Sequence, residues 1–359
     1  MLIYELKSGE KVFRRDNTII VDLPGLRRVV GTSRLNGGYR EDLQAVFNHH
    51  IPPGNHKAED LEGGSVEAYL EIMTARLGLP HRHTTGLLTA AAMENAAIRS
   101  KGFRDLEVTA VVTGGVEVNG GRAGDPASYY ENNGRWVPVG GTINIILIID
   151  GDLPPRTMVR SIVTATEAKT AVLQELMARS HYSRGIATGS GTDGIIVVAN
   201  PNSGLRFTDA GKHSKLGELI GLVVKEATKE ALEKQTGLNH RQQRNFLVRL
   251  ERFGVTAEDF WQQALREGTS LTRDAYMERL NQLAVKDDLV VTAAGLLHLL
   301  DEQEWGLLPA DAVVEVGSRL VQTQDPRPAV ISCSAGGQDT DPAGRLISLF
   351  IGLVNRSIR

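Results

Sequence analysis

The chain of 359 residues has almost no cysteine: Cys333 is the only one. One thiol can form neither an internal disulfide nor a thiolate zinc cluster, which sets the expectation of a cytoplasmic protein. A charge surplus is missing too, since 40 Lys and Arg face 43 Asp and Glu for a formal charge of −3. Without excess basic charge to neutralise phosphates, nucleic acid is not an expected partner. The most apolar stretches, Ile143 to Ile149 and Leu346 to Val354, are far short of the ~20 residues a membrane helix needs. Met1 to Glu5 lacks the basic flank and apolar stretch of a secretory signal. What remains, at 41% hydrophobic and 23% charged residues, is a soluble globular protein of one large or two ordinary domains.

Glycine is what the chain has in quantity, with 38 copies. They cluster as Gly37-Gly38, Gly63-Gly64, Gly114-Gly115, Gly120-Gly121, Gly140-Gly141 and Gly185 to Gly194, each flanking strand formers. Such pairs mark tight turns or places where backbone comes close to another group. Extended segments are expected over Asn17 to Leu23, Arg28 to Thr32, Glu107 to Thr113, Ile143 to Asp150 and Ile195 to Ala199. Helices are expected over Gly64 to Leu77, from about Pro155 to Arg179, and from about Ser214 to Lys234. That alternation predicts an α/β (α+β layered) domain, a mixed sheet with long packed helices, over residues 1–236. Beyond Gly237 glycine thins out and Arg, Gln, Glu and Leu recur at helical spacing. Residues 237–359 therefore read as a mostly helical C-terminal extension, with a break at Pro326-Arg327-Pro328 before a last apolar helix.

Several segments could carry chemistry. Thr188-Gly189-Ser190-Gly191-Thr192-Asp193 alternates small polar residues with glycine just before a strand. Such a loop exposes N–H groups and hydroxyls to an oxyanion or an amide. It is neither a Walker loop, lacking Gly-Lys-Ser/Thr, nor a dinucleotide fingerprint, since a strand follows it. Thr142 opens a buried strand behind Gly140-Gly141, either as an ordinary strand residue or as a nucleophile. His213, Ser214 and Glu218 lie at a helix start, where Ser214 is a natural N-cap. His81-Arg82-His83 puts two imidazoles on one face if extended, but no third ligand is identified, so no metal site is assigned. His49 and His50 would point to opposite faces of a strand.

Six segments in order resemble the adenosylcobinamide amidohydrolase family. They are Gly31 to Asp42 (GTSRLNGGYRED), Thr84 to Ala97 (TTGLLTAAAMENAA), Val112 to Pro126 (VTGGVEVNGGRAGDP), Gly141 to Leu176, Ala187 to Asn200 (ATGSGTDGIIVVAN) and Ala210 to Gly221 (AGKHSKLGELIG). The resemblance spans roughly residues 15–235. It implies hydrolysis of the amide joining aminopropanol to a corrin side chain, giving adenosylcobyric acid and 1-aminopropan-2-ol in corrinoid salvage. Cobalt would then belong to the substrate, with no cofactor bound to the protein. The family commonly has Asn-Ala where this chain has Asn119-Gly120-Gly121. A second, fold-level similarity is to the β-peptidyl aminopeptidase and ornithine acetyltransferase group. There a strand-heading Thr or Ser becomes an N-terminal nucleophile after chain cleavage, and Thr142 stands at the corresponding position.

Amide hydrolysis needs a nucleophile or activated water, oxyanion donors, and an acid for the leaving amine. Thr142, Asp193, His213 and Glu218 are the candidate catalytic residues, the last three handling protons. Asn36, Gly37, Gly38, Asn95, Asn119, Asn144, Thr188, Gly189, Ser190, Gly191 and Thr192 are the candidate substrate-binding residues, with the loop N–H groups and the Asn95 or Asn144 amide as oxyanion donors. Glu167 and Lys169 could pair beside the site or simply be surface charge. The expected partner is a corrinoid small molecule. The oligomeric state, self-cleavage at Gly141-Thr142, a self-processing aminopeptidase or acyltransferase activity, and a non-catalytic corrinoid carrier all stay open.

Overall fold

The computed structural model describes residues 1–51, 58–126, 142–324 and 341–358, so Gly140-Gly141, Pro326 to Pro328 and Cys333 lie outside the described residues. These form two compact units, Met1–Asn239 and His240–Arg359.

In chain order the strands of the first unit are β1 (Leu2–Glu5), β2 (Lys11–Arg15), β3 (Thr18–Asp22), β4 (Arg28–Gly31), β5 (Gly38–Arg40), β6 (Ala45–His50), β7 (Thr84–Thr89), β8 (Ala97–Phe103), β9 (Leu106–Gly115), β10 (Gly120–Gly121), β11 (Thr142–Ile149), β12 (Gly189–Ser190) and β13 (Gly194–Ala199). Helix α1 (Val66–Arg76) connects β6 to β7, α2 (Pro155–Glu175) connects β11 to β12, and α3 (Lys215–Thr236) follows β13. Each helix end has a local cause. The Ser65 hydroxyl accepts from the Ala68 N–H to start α1, and Pro155 opens α2 where no N–H partner is needed. Ser214 caps α3 by accepting from the Gly217 N–H, and Gly237, at φ 73°, stops it.

Two sheets result. One has the order β1-β2-β3-β6-β7 and the other β5-β4-β13-β11-β9-β8, while β10 and β12 make a small separate ribbon. β6 pairs parallel with β7, and β11 parallel with β13; the other pairings in these sheets are antiparallel. Parallel neighbours require a crossover, and α1 and α2 supply the two. The mixed α/β class expected from the sequence is what the fold has. Alternation did not reveal β6, because its first five residues are buried and a strand covered on both faces shows no polar period.

Strand alternation sorts the side chains into layers. Ala45 and Phe47 of β6 face Leu70 and Leu77, placing α1 on the outer side of the first sheet. Val46 of β6 and Leu87 of β7 face inward and meet Val111, Ile146, Ile148, Ile196 and Val198 of the second sheet. On that sheet's other side, Ile145, Leu147 and Val197 pack on Met158, Val172, Ile220 and Val224 of α2 and α3. The stack is helix, sheet, sheet, helix pair.

The second unit is all helix among its described residues: α4 (Phe246–Leu250), α5 (Ala257–Arg266), α6 (Arg273–Leu283), α7 (Asp287–Glu304), α8 (Ala310–Gln324) and α9 (Pro342–Ile358). The Phe246, Phe260 and Phe350 rings pack with centroids 5.2 to 6.5 Å apart. Buried Arg252 holds buried Asp301 by two hydrogen bonds of 2.7 and 2.6 Å. The apolar residues of Leu346 to Val354 pack into this unit's own core, with Leu349 only partly buried.

Burial gives the first unit an acid-sensitive point. His49 lies on the α1 side of β6, with Nδ1 2.7 Å from the Thr18 hydroxyl and Nε2 3.3 Å from the Tyr69 hydroxyl. Loss of water, helped by nearby His50 and Arg76, pushes its pKa down to about 4. The unfolded chain takes up a proton near the ordinary ~6.5, which the folded chain refuses until about 4. Stability from this group is therefore intact above about pH 6.5 and falls as the pH drops toward 4, by as much as ~3 kcal/mol. Urea midpoints for His49→Gln and the parent should draw closer together as the pH is lowered from 7 to 4.5. An unchanged gap would remove His49 as the source.

Candidate active site

At one end of the inter-sheet layer the inward-facing side chains change from apolar to polar. On β11 the order is Ile148, Ile146, Asn144, Thr142; on β6 it is Val46, Asn48, His50; on β9 it is Val111, Thr113, Gly115. The polar members bond to one another. Asn144 Nδ2 donates to Asn48 Oδ1 at 2.8 Å and to the Leu88 carbonyl at 2.8 Å. Asn48 Nδ2 donates to Thr113 Oγ1 at 2.7 Å. Thr142 Oγ1 donates to the Thr192 carbonyl at 2.5 Å, with Asn144 Oδ1 3.4 Å away. Thr142, Asn144, Asn48 and Thr113 are all buried. The Thr142 hydroxyl thus sits at the head of a central strand, aimed into the inter-sheet layer.

The other side of the same strand end is ionic. The Asp193 carboxylate accepts from the Ile143 N–H at 2.9 Å, the Ser190 N–H at 3.1 Å and the Ser190 hydroxyl at 2.6 Å, and pairs with the Lys169 ammonium of α2. Lys169 is buried even though it is an ammonium, and this carboxylate compensates for that burial. Gly189 is required here. A methyl group at its Cα would overlap both the Asp193 carboxylate and the Lys169 ammonium. β12 is anchored from α2 by Thr170 Oγ1 to the Thr188 carbonyl at 3.0 Å, and from β10 by register pairing of Gly120 with Ser190.

The structure gathers part of the expected set. Thr142, Asn144, Gly189, Ser190, Thr192 and Asp193 meet around the start of β11; Gly191, at the loop tip, faces open space. Thr188 is adjacent, its hydroxyl accepting from the Ala123 N–H at 2.9 Å. Asn119 is buried just before β10, the strand paired with β12. Asn95 donates to Gln235 Oε1 at 2.9 Å, and Gln235 flanks Gly115, the register partner of Thr142.

Other expected members are elsewhere. Leu232, Gln235 and Thr236 of α3 lie beside Gly114 and Gly115, at the Thr142 end of the second sheet. A helix of 22 residues spans about 33 Å, so the α3 N-terminus, where Lys215 covers the Phe103 ring, is at the far end. His213 and Glu218 are exposed there, and Glu218 pairs with Lys215 at 2.5 Å. Their expected proton-handling role at Thr142 is corrected by that distance. Glu167 pairs with Lys212 at 3.3 Å, not with Lys169, because residues two apart do not share a helix face. Asn36, at φ 50°, uses its amide on the His81 and Thr84 carbonyls at the start of β7, and Gly37 packs where any side chain would strike the Ser33 carbonyl. Asn36, Gly37 and Gly38 thus build a turn. The Asn144 amide is also engaged at both hydrogens, so it is not an oxyanion donor. His81 to His83 form a 3₁₀ turn, which removes the shared strand face assumed for a metal pair. Beside them Asp42 is held down to about 2, chiefly by its bonds from Arg40.

Asn48, Thr113 and Gln235 complete the site without having been read as functional, and Lys169 joins it with Asp193 as partner in place of Glu167. Only the order of strands reveals Asn48, which approaches Asn144 across 96 positions of chain.

An uncharacterised protein of Methanocaldococcus jannaschii is 36% identical over 231 residues, covering 61% of this chain and 86% of that one. A Methanosarcina mazei protein named adenosylcobinamide amidohydrolase is 29% identical over 206 residues, covering 57% of this chain and 82% of its own. The adenosylcobinamide amidohydrolase (CbiZ) family matches residues 3–240, nearly the whole first unit. The chain therefore belongs to the adenosylcobinamide amidohydrolase family, whose members are hydrolases of an amide C–N bond.

Proposed function

We propose that the chain hydrolyses the amide joining aminopropanol to the corrin of adenosylcobinamide, releasing adenosylcobyric acid and 1-aminopropan-2-ol for cobalamin salvage in the cytoplasm. The observation that carries the reading is the Thr142 hydroxyl, buried at the head of β11 with Asn144 behind it and the Gly189 to Asp193 loop beside it. Thr142 Oγ attacks the amide carbonyl, and N–H groups of the loop receive the developing oxyanion. Asp193 and Lys169 act by position: they fix Ser190 and the Ile143 N–H, so the loop and the strand head keep one geometry. Cobalt belongs to the substrate, and the protein supplies no metal of its own. Residues 1–236 form the hydrolytic domain, and the helical remainder is an accessory module.

Incubation with adenosylcobinamide, followed by mass analysis, tests the reaction: loss of aminopropanol is expected, and recovery of unchanged corrinoid refutes it. Thr142→Val keeps shape and strand propensity while deleting the hydroxyl. Turnover should fall by at least three orders of magnitude, about 4 kcal/mol in barrier, with corrinoid binding kept. Full activity in that variant leaves an activated water as the nucleophile. Mass analysis of the active protein decides self-cleavage at Gly141-Thr142 independently.

Gly189→Ala forces apart Asp193 and Lys169, and we expect kcat to drop at least tenfold while the chain stays folded. Unaltered kcat would show that this pair does not position the loop. Truncation after Asn239 should leave a soluble, hydrolytically active first unit. Soluble but inactive product would assign the second unit a part in catalysis.

A further inference from the structure

A threonine nucleophile needs a proton acceptor, and none of the three carboxylates and imidazoles expected from the sequence faces it. Asp193 binds the Ile143 N–H and Lys169 on the helix side of β11, whereas the Thr142 hydroxyl faces the other sheet. His213 and Glu218 are a helix length away.

The inter-sheet layer offers another group. Asn48 and Asn144 meet across it at 2.8 Å, fixing one rung between β6 and β11. The next inward residue on β6 is His50, and the next on β11 is Thr142. Contacts on both sheets show that the two steps run the same way: β9 marks the Thr142 end, and β7 gives the direction of β6. Asn48 also bonds Thr113, and β9 continues from there to Gly115, paired in register with Thr142. β7, parallel to β6, passes Leu88, bonded to Asn144, on its way to Ala92, whose N–H donates to Gln235 Oε1 beside Gly115. His50 and Thr142 are therefore the side chains that follow the asparagine pair toward the same end of the inter-sheet layer.

His50 is half-buried, with Nδ1 3.1 Å from the Ala91 carbonyl. A carbonyl only accepts, so Nδ1 carries the hydrogen and the neutral ring keeps its lone pair on Nε2. That hydrogen bond fixes both the tautomer and the ring's orientation.

We propose that His50 is the general base and acid of the reaction, a role that rests on the reading of Thr142 as nucleophile toward the corrinoid amide. Nε2 takes the Thr142 hydroxyl proton as Oγ bonds to the carbonyl carbon. The C–N bond then breaks, and the imidazolium returns that proton to the departing amine nitrogen. In the second half Nε2 takes a proton from water as its oxygen bonds to the ester carbon. The C–Oγ bond breaks, and the proton goes back to Thr142 Oγ. One water is consumed, and one acid and one amine are released.

Two isosteric variants of the full-length chain separate base from scaffold. His50→Asn keeps a donor at the Nδ1 position and has no Nε2; His50→Gln reaches toward the Nε2 position with an amide that cannot take the proton. In both, kcat for aminopropanol release should fall 10²- to 10⁴-fold with adenosylcobinamide still bound. His50→Gly should regain part of its rate from added imidazole. A merely structural His50 gives the opposite pattern, with His50→Asn close to the parent and no imidazole rescue, and this overturns the proposal. If His50→Gly fails to fold, the Asn variant decides alone. A parent that releases aminopropanol beside an equally fast His50→Asn sinks only this proposal; an inactive parent sinks the proposed function, and the base with it.

Discussion

A single amide pair between two sheets organises the first unit: Asn144 donating to Asn48 at 2.8 Å, with both side chains buried. An unpaired amide in an apolar layer costs about 1–3 kcal/mol, so this pair disfavours any slip of one sheet over the other. With Leu88 and Thr113 taking the remaining bonds, the pair is a four-point clamp. It stands where Ile146, Ile148 and Val46 give way to Thr142 and His50. The apolar layer supplies cohesion, and the clamp sets what can stand beyond it.

The head of β11 is used on both faces because a strand alternates. Thr142 and Asn144 point to the first sheet, while the Ile143 N–H is taken by a carboxylate that points to α2. Positioning and chemistry are thereby separated by the thickness of one sheet. The Lys169–Asp193 pair can be strong and buried without drawing the Thr142 proton to itself. Ser190 and Gly189 belong to that pair's enclosure, which explains the small residues of the loop more directly than a search for hydroxyl nucleophiles does.

Local rules made much of this legible. Ser214 and Gly237 frame α3, Pro155 opens α2, and the β-branched run after Thr142 becomes the central strand β11. The six ordered motifs were enough to indicate the family. What escaped depends on contacts far apart in sequence. Asn48 and His50 lie in a stretch buried on both sides, where no period distinguishes a site from a core. Read from the sequence, Lys169 has Glu167 as its partner beside the site, or is surface charge, since nothing nearby in sequence shows Asp193 as its partner. His213 and Glu218 misled for the opposite reason: they lie within a family motif, but that motif is the start of a 22-residue helix whose other end meets the site.

That helix also ties the Thr142 end of the second sheet to the segment after β7. Over most of its length α3 covers β8 and β9 with buried Val223, Val224, Ala227 and Ala231, an apolar contact that needs no particular partner. Its last turn changes function. Gln235 accepts from the Ala92 N–H at 3.0 Å and the Asn95 amide at 2.9 Å, so one carbonyl oxygen ties the segment after β7 to the end of β9. The segment it ties includes Ala91, whose carbonyl orients His50. Helix α3, the asparagine clamp and the imidazole are thus linked through backbone groups on β7 and the turn after it. Gly115 marks the place of that linkage: the Gln235 side chain lies beside it, and it pairs in register with Thr142 at the strand head.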